Sequence, residues 1–168
     1  YEATLVSDDA PLDRYLTGAD TNALTAQEMR GMNLFQGKAK CTECHTGPQL
    51  TNAGTPSLED FPNGAIINYM RMGDDQPALY DEGFYNIGVR PTAEDLGVGG
   101  LDPFGNPLSF ARQYKARLQS GKAFVDPRLT VSPCTFDVNP CATPSGSARD
   151  AVDGAFKVPT LRNVELTG

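Results

Sequence analysis

The chain has 168 residues, enough for one domain, but only 39% are hydrophobic, tryptophan is absent, and there are 17 glycines and 13 prolines. Such a composition builds a thin core with many irregular loops, the kind of domain that needs a staple. The formal charge of −7 argues against nucleic acid and anionic membrane surfaces as partners, and no apolar run is long enough to span a bilayer.

Taken in chain order, residues 1–24 read as a leading segment, with a short helical pattern around Leu12, Tyr15 and Leu16 that ends at Gly18. Thr25-Ala26-Gln27-Glu28 has the form of a capping box, in which threonine caps the first turn and glutamate reaches back from three residues on. The helix it opens carries Met29, Met32 and Phe35 at three-residue spacing and stops at Gly37. Cys41-Thr42-Glu43-Cys44-His45 follows. Two thiols three positions apart can each add across one vinyl group of a porphyrin, and the adjacent imidazole can ligate the iron. The pattern predicts one covalently attached c-type haem on Cys41 and Cys44, with His45 as proximal ligand.

Rival readings of that pentapeptide are weaker. A zinc site needs four ligands at finger or ribbon spacing, and the chain has a single histidine. A thioredoxin-like pair needs a strand-to-helix junction in a βαβ unit, and no such alternation surrounds Cys41. A haem is also a large apolar disc, so burying it would supply much of the core that the composition lacks.

After His45, Gly47-Pro48 sets a turn that takes the chain off the haem face. Residues 47–73 read as loop, with only 65–72 helical or extended, and 81–106 read as loop again. Leu96-Gly97-Val98-Gly99-Gly100 lacks both GxGxxG spacing and a preceding strand, so it reads as turn geometry. Asp81, Glu82, Glu94 and Asp95 read as exposed turn carboxylates with no catalytic role. Ser109 caps a helix running to Gly121, with Phe110, Tyr114 and Leu118 on one stripe. Residues 122–155 are irregular, and Cys134 and Cys141 within them look like a small-loop disulfide, two buried thiols being the alternative. A disulfide and c-type haem attachment both require an extracytoplasmic compartment, so the predicted location is periplasmic or the cell surface.

A second histidine being absent, the iron's sixth ligand cannot be an imidazole of this chain. Met70 or Met72 is the candidate, since a thioether stabilises ferrous iron, against the reading that all four methionines are apolar filler. Arg162 is a candidate to hold a haem propionate through its planar guanidinium, with Thr160 and Asn163 completing the network. Pro48, Phe84, Asn86 and Pro159 are candidate pocket-lining residues.

Three segments together carry a resemblance. Residues 41–48 read C-T-E-C-H-T-G-P, 84–89 read F-Y-N-I-G-V, and 156–166 read F-K-V-P-T-L-R-N-V-E-L. In that order they resemble the C-terminal haem domain of the bacterial dihaem cytochrome c peroxidase and MauG family, and residues 1–16 are similar to the segment that leads into that domain. The resemblance implies a mainly α, cytochrome c-like haem domain with long irregular loops, spanning 25–168 behind an interdomain segment at 1–24. It implies that this haem accepts electrons from a small cytochrome or cupredoxin. They would pass to a second haem domain or companion polypeptide, where hydrogen peroxide is reduced. With one CxxCH, the chain matches the electron-accepting half. Relatives continue past Leu166-Thr167-Gly168 into the region that supplies their methionine ligand, so the haem domain is expected to be incomplete at its C-terminus. Two other readings stand beside this one: a MauG-like oxidase subunit whose haem belongs to the catalytic unit, and a standalone monohaem electron carrier.

Overall fold

The computed structural model describes residues 9–54, 66–121 and 144–164, and the chain divides into two compact units. The first comprises residues 1–50 and 160–168, and the second residues 51–159.

In the first unit, α1 (Pro11–Thr17) begins with proline at its first position, where the missing N–H costs nothing, and ends at Gly18. The Asp13 carboxylate accepts the Ala10 N–H at 3.0 Å, closing the first turn. α2 (Ala26–Gln36) opens on the expected box: Thr25 accepts the Glu28 N–H at 3.3 Å, and Glu28 accepts the Thr25 N–H at 2.7 Å. Neither helix buries a single residue.

The second unit is built differently. β1 (Ile67–Arg71) and β2 (Pro77–Asp81) form an antiparallel hairpin, pairing Ile67 with Asp81 and Tyr69 with Leu79. β3 (Phe84–Tyr85) pairs antiparallel with β4 (Phe156–Lys157). α3 (Phe110–Ser120) packs on the hairpin, capped by Ser109, whose hydroxyl accepts the Arg112 N–H at 3.1 Å. Ile67, Leu79, Ala111, Tyr114 and Val152 make the buried core, with Ile66, Tyr69, Phe110 and Ala148 packed against it. Leu79 also makes two backbone hydrogen bonds across an isolated bridge to Asp150, donating to the Arg149 carbonyl and accepting the Ala151 N–H, at 2.8 Å each.

This architecture corrects the expectation of a mainly α chain. The described residues hold three α-helices beside two small antiparallel sheets, joined by long loops. The reason lies in the period of the apolar residues at 67–71. Ile67 and Tyr69 alternate with Asn68, a two-residue repeat of β-branched and aromatic side chains that suits a pleated surface and not a helical stripe. Pro77 then sits at the first position of β2, where a strand tolerates it. Among the described residues, no helix is long and apolar enough to cross a membrane.

Candidate functional site

The first unit carries the cysteine–histidine motif on one tight turn. Lys40, in the left-handed region at φ 56°, turns the chain into a single 3-10 turn at Cys41–Glu43. The Cys41 carbonyl then accepts the N–H groups of Cys44 at 3.3 Å and His45 at 2.8 Å. Both cysteines and the imidazole thus leave the same turn, and all three are half-buried. His45 Nδ1 lies 3.1 Å from the Leu50 carbonyl oxygen. A carbonyl can only accept, so Nδ1 is the protonated nitrogen, which in the neutral ring leaves the lone pair on Nε2. That is the tautomer a metal-ligating histidine requires, with the second nitrogen fixed by a backbone carbonyl.

His45 opens on a cavity of about 480 Å³. Leu12 and Leu16 of α1, Leu24, Met32 and Phe35 of α2, Leu50 and Leu161 supply its apolar wall, and every lining residue belongs to the first unit. No described residue of this unit is buried, and Leu16 is 60% exposed although it faces the cavity. Two helices thus turn apolar side chains toward one space without meeting a protein core. A burying partner as large and apolar as a porphyrin matches that space, and the donor set of two thiols and one imidazole matches its attachment chemistry. Among the described residues no group of three or more His, Cys, Asp or Glu side chains could hold a metal ion.

Arg162 meets a partner from within the chain. Its Nη1 donates to both carboxylate oxygens of Asp13, at 2.6 and 2.7 Å, and its Nε donates to the Pro48 carbonyl at 2.7 Å. The two side chains are 16% and 13% exposed, and the guanidinium holds the Asp13 carboxyl below its ordinary value. Thr160 Oγ1 donates to the Gln49 carbonyl at 2.5 Å. The loop after His45 is therefore gripped at Pro48, Gln49 and Leu50 in succession.

The remaining candidates lie in the second unit. Phe84 lines a separate cavity of about 300 Å³ with Ile66, Val98, Leu108 and Phe110. Asn86 is exposed, its Nδ2 donating to the Asp153 carbonyl at 3.0 Å and its Oδ1 accepting the Gly88 N–H. Pro159 is exposed and ends the unit. Met70 is half-buried on β1 opposite Ala78, and Met72 is half-buried in the hairpin turn, its N–H bonded to Gln76. Cys41, Cys44, His45, Pro48 and Arg162 share the first unit; Phe84, Asn86, Pro159, Met70 and Met72 belong to the second. Cys134 and Cys141 lie outside the described residues.

Two carboxylates expected at an exposed turn are instead buried, each 3% exposed. Glu82 accepts from Asn52 Nδ2 at 2.6 Å, Tyr85 at 2.9 Å, Tyr80 at 3.1 Å and Asn68 Nδ2. Asp81 accepts from the Ser109 hydroxyl and the Phe110 and Ala111 N–H groups, so it caps α3 from the neighbouring strand. Burial raises the Asp81 carboxyl to about 6, against the pull of the α3 N–H groups. Burial first, and the charge of Glu82 second, push the Tyr80 phenol above its ordinary value. The one sequence signal for this cluster was the bracketing of an Asp-Glu-Gly step by Tyr80 and Tyr85, two residues that carry hydroxyl donors on aromatic bodies suited to burial.

No family model matches the chain, and no solved structure does. Curated proteins do match. Cytochrome-c peroxidase IdrP2 of Denitromonas iodatirespirans is 48% identical over 110 residues, covering 54% of this chain and 28% of the relative. Cytochrome-c peroxidase IdrP1 of Pseudomonas sp. (strain SCT) is 54% identical over 114 residues, covering 58% and 29%. Methylamine utilization protein MauG of Methylorubrum extorquens is 44% identical over 90 residues, covering 48% and 25%. In these matches the aligned part spans about a quarter of the relative's length. By these similarities, added to the cysteine–histidine turn and its apolar cavity, about half of the chain is similar to proteins of the cytochrome c peroxidase and MauG family.

Proposed function

We propose that the first unit binds one c-type haem, held by thioethers at Cys41 and Cys44 and ligated by His45, and that it serves electron transfer in a peroxidase-type oxidoreductase. The observation that carries this reading is the cavity of about 480 Å³ beside His45, walled by apolar side chains in a unit with no buried described residue. When bound, the haem supplies a one-electron couple at its iron. The chain's own residues do the rest. His45 presents Nε2, because its Nδ1–H donates to the Leu50 carbonyl. Leu12, Leu16, Met32, Phe35 and Leu161 exclude water from the ring, which weights the couple against extra charge on the iron. Electrons would come from a small cytochrome or cupredoxin and leave toward a second haem domain, where hydrogen peroxide is reduced, in an extracytoplasmic compartment. The similarity to cytochrome c peroxidases and to MauG supports the reaction class.

The test is expression under conditions that permit c-type maturation, followed by a haem-stained denaturing gel and a pyridine haemochrome spectrum. Covalent haem on the intact protein, lost in the Cys41→Ala/Cys44→Ala double variant, supports the reading. A colourless protein, or haem that washes away under denaturing conditions, overturns it.

A further inference from the structure

Asp13, a residue of α1, belongs to none of the sequence motifs, yet it is tied to the loop after His45. Its carboxylate is two steps from the proximal histidine's loop: Asp13 holds Arg162 Nη1 with both oxygens, and Arg162 Nε holds the Pro48 carbonyl at 2.7 Å. Two residues further on, the Leu50 carbonyl holds His45 Nδ1 at 3.1 Å. Leu50 stands at φ 50°, a left-handed conformation that a branched side chain does not adopt unaided. Something must hold the 47–50 turn in that shape, and besides His45 itself, Arg162 and Thr160 reach it from outside at Pro48 and Gln49. Leu12 and Leu161, the chain neighbours of Asp13 and Arg162, both line the cavity, so the clamp sits at its wall.

We infer that Asp13 is a positioning residue for the proximal histidine, acting through Arg162 and the 47–50 turn to keep the Leu50 carbonyl on His45 Nδ1–H. The inference rests on haem ligation by His45. A firm hydrogen bond from Nδ1–H makes the imidazole a stronger electron donor to iron and stabilises the ferric state. Loosening the clamp weakens that bond, so the reduction potential rises and the Nδ1 proton becomes open to solvent. An ion pair that merely anchored α1 would change neither.

The experiment compares haem-loaded protein with its Asp13→Asn and Arg162→Lys variants and with Arg14→Ala as control. Asparagine keeps an oxygen for the Ala10 N–H, so α1 retains its cap; lysine keeps the charge but cannot span Asp13 and Pro48 together. Arg14, on the same helix, pairs instead with Asp9 at 3.1 Å. Redox titration and proton NMR of the His45 Nδ1–H exchange rate are read side by side. Expected are a higher potential and about tenfold faster exchange in both Asp13→Asn and Arg162→Lys, the loss of one charge-assisted hydrogen bond, with Arg14→Ala unchanged. The double variant should match either single one, because both cut the same chain of contacts. Unchanged potential and exchange in Asp13→Asn, or a shift in Arg14→Ala equal to it, overturns the inference while leaving haem ligation standing. Absence of haem from the parent protein sinks the underlying reading instead, and the haemochrome assay reports that separately. If Asp13→Asn fails to fold, Arg162→Lys alone decides the matter by the same two readouts.

Discussion

Asp81, the last residue of β2, accepts the backbone N–H of Ala111 at 2.7 Å, so the first turn of α3 is completed by a carboxylate from thirty residues earlier in the chain. The same carboxylate takes the Phe110 N–H at 2.9 Å and the Ser109 hydroxyl at 3.1 Å. Helix and hairpin are thereby joined by a buried polar contact as well as by the Ile67, Leu79, Ala111 and Tyr114 core.

A pH dependence follows from that contact. Burial raises the folded-state Asp81 carboxyl to about 6, above its ordinary value of 3.8. The group's contribution is therefore fully present below about pH 4 and is lost as pH rises through 6, a change on the order of 3 kcal/mol. Urea unfolding followed by circular dichroism should show this slope between pH 4 and 6. Asp81→Asn should flatten it and lower stability at pH 4 by about 1–2 kcal/mol, because an amide presents one acceptor where the carboxyl group presents two oxygens to three donors.

Glu82 poses a sharper case. Four side-chain donors converge on it: Asn52, Asn68, Tyr80 and Tyr85. Glu82→Ala should cost about 3–5 kcal/mol, since it strands those donors in a dry interior. Glu82→Gln, which keeps the shape but brings its own N–H groups, should cost less than Glu82→Ala. Thermal unfolding midpoints of the two variants check the order.

Gly83 cannot accept a side chain. Its φ is +81°, and an added Cβ would lie 2.5 Å from the Cα of Ala53, a backbone atom that cannot move aside. Gly105 has the same φ of +81° with nothing within 4 Å of the added atom. Gly83→Ala should therefore destabilise well beyond the ~1–2 kcal/mol of left-handed strain that Gly105→Ala alone incurs. Chemical denaturation of the pair isolates the steric part.

On α2, Met32 lines the cavity, whereas Leu34 is 55% exposed and does not. If the cavity receives haem, Met32→Glu should cut covalent haem incorporation severalfold, because an ionised carboxylate loses its hydration against an apolar ring. Leu34→Glu should leave incorporation unchanged. Haem per polypeptide, measured by haemochrome against protein concentration, gives both values.

The local signals were legible in the chain itself. Thr25 with Glu28 opens α2, Ser109 opens α3, and Gly18, Gly37 and Gly121 close their helices, each within a single turn of the residues that encode it. The Cys41–His45 pattern is likewise local, because thioether attachment and ligation need fixed spacing on one turn. Other features needed distant partners. Asp81 and Glu82 look like turn carboxylates in sequence, yet each is buried, because Asn52, Asn68 and the N-terminus of α3 come to them from elsewhere in the fold. Arg162 found Asp13, 149 residues earlier, a pairing no local pattern encodes. Spacing along the chain determines caps, turns and attachment chemistry, since those depend on neighbouring atoms. Burial of a charge depends on what surrounds it in space, and that only the tertiary structure decided.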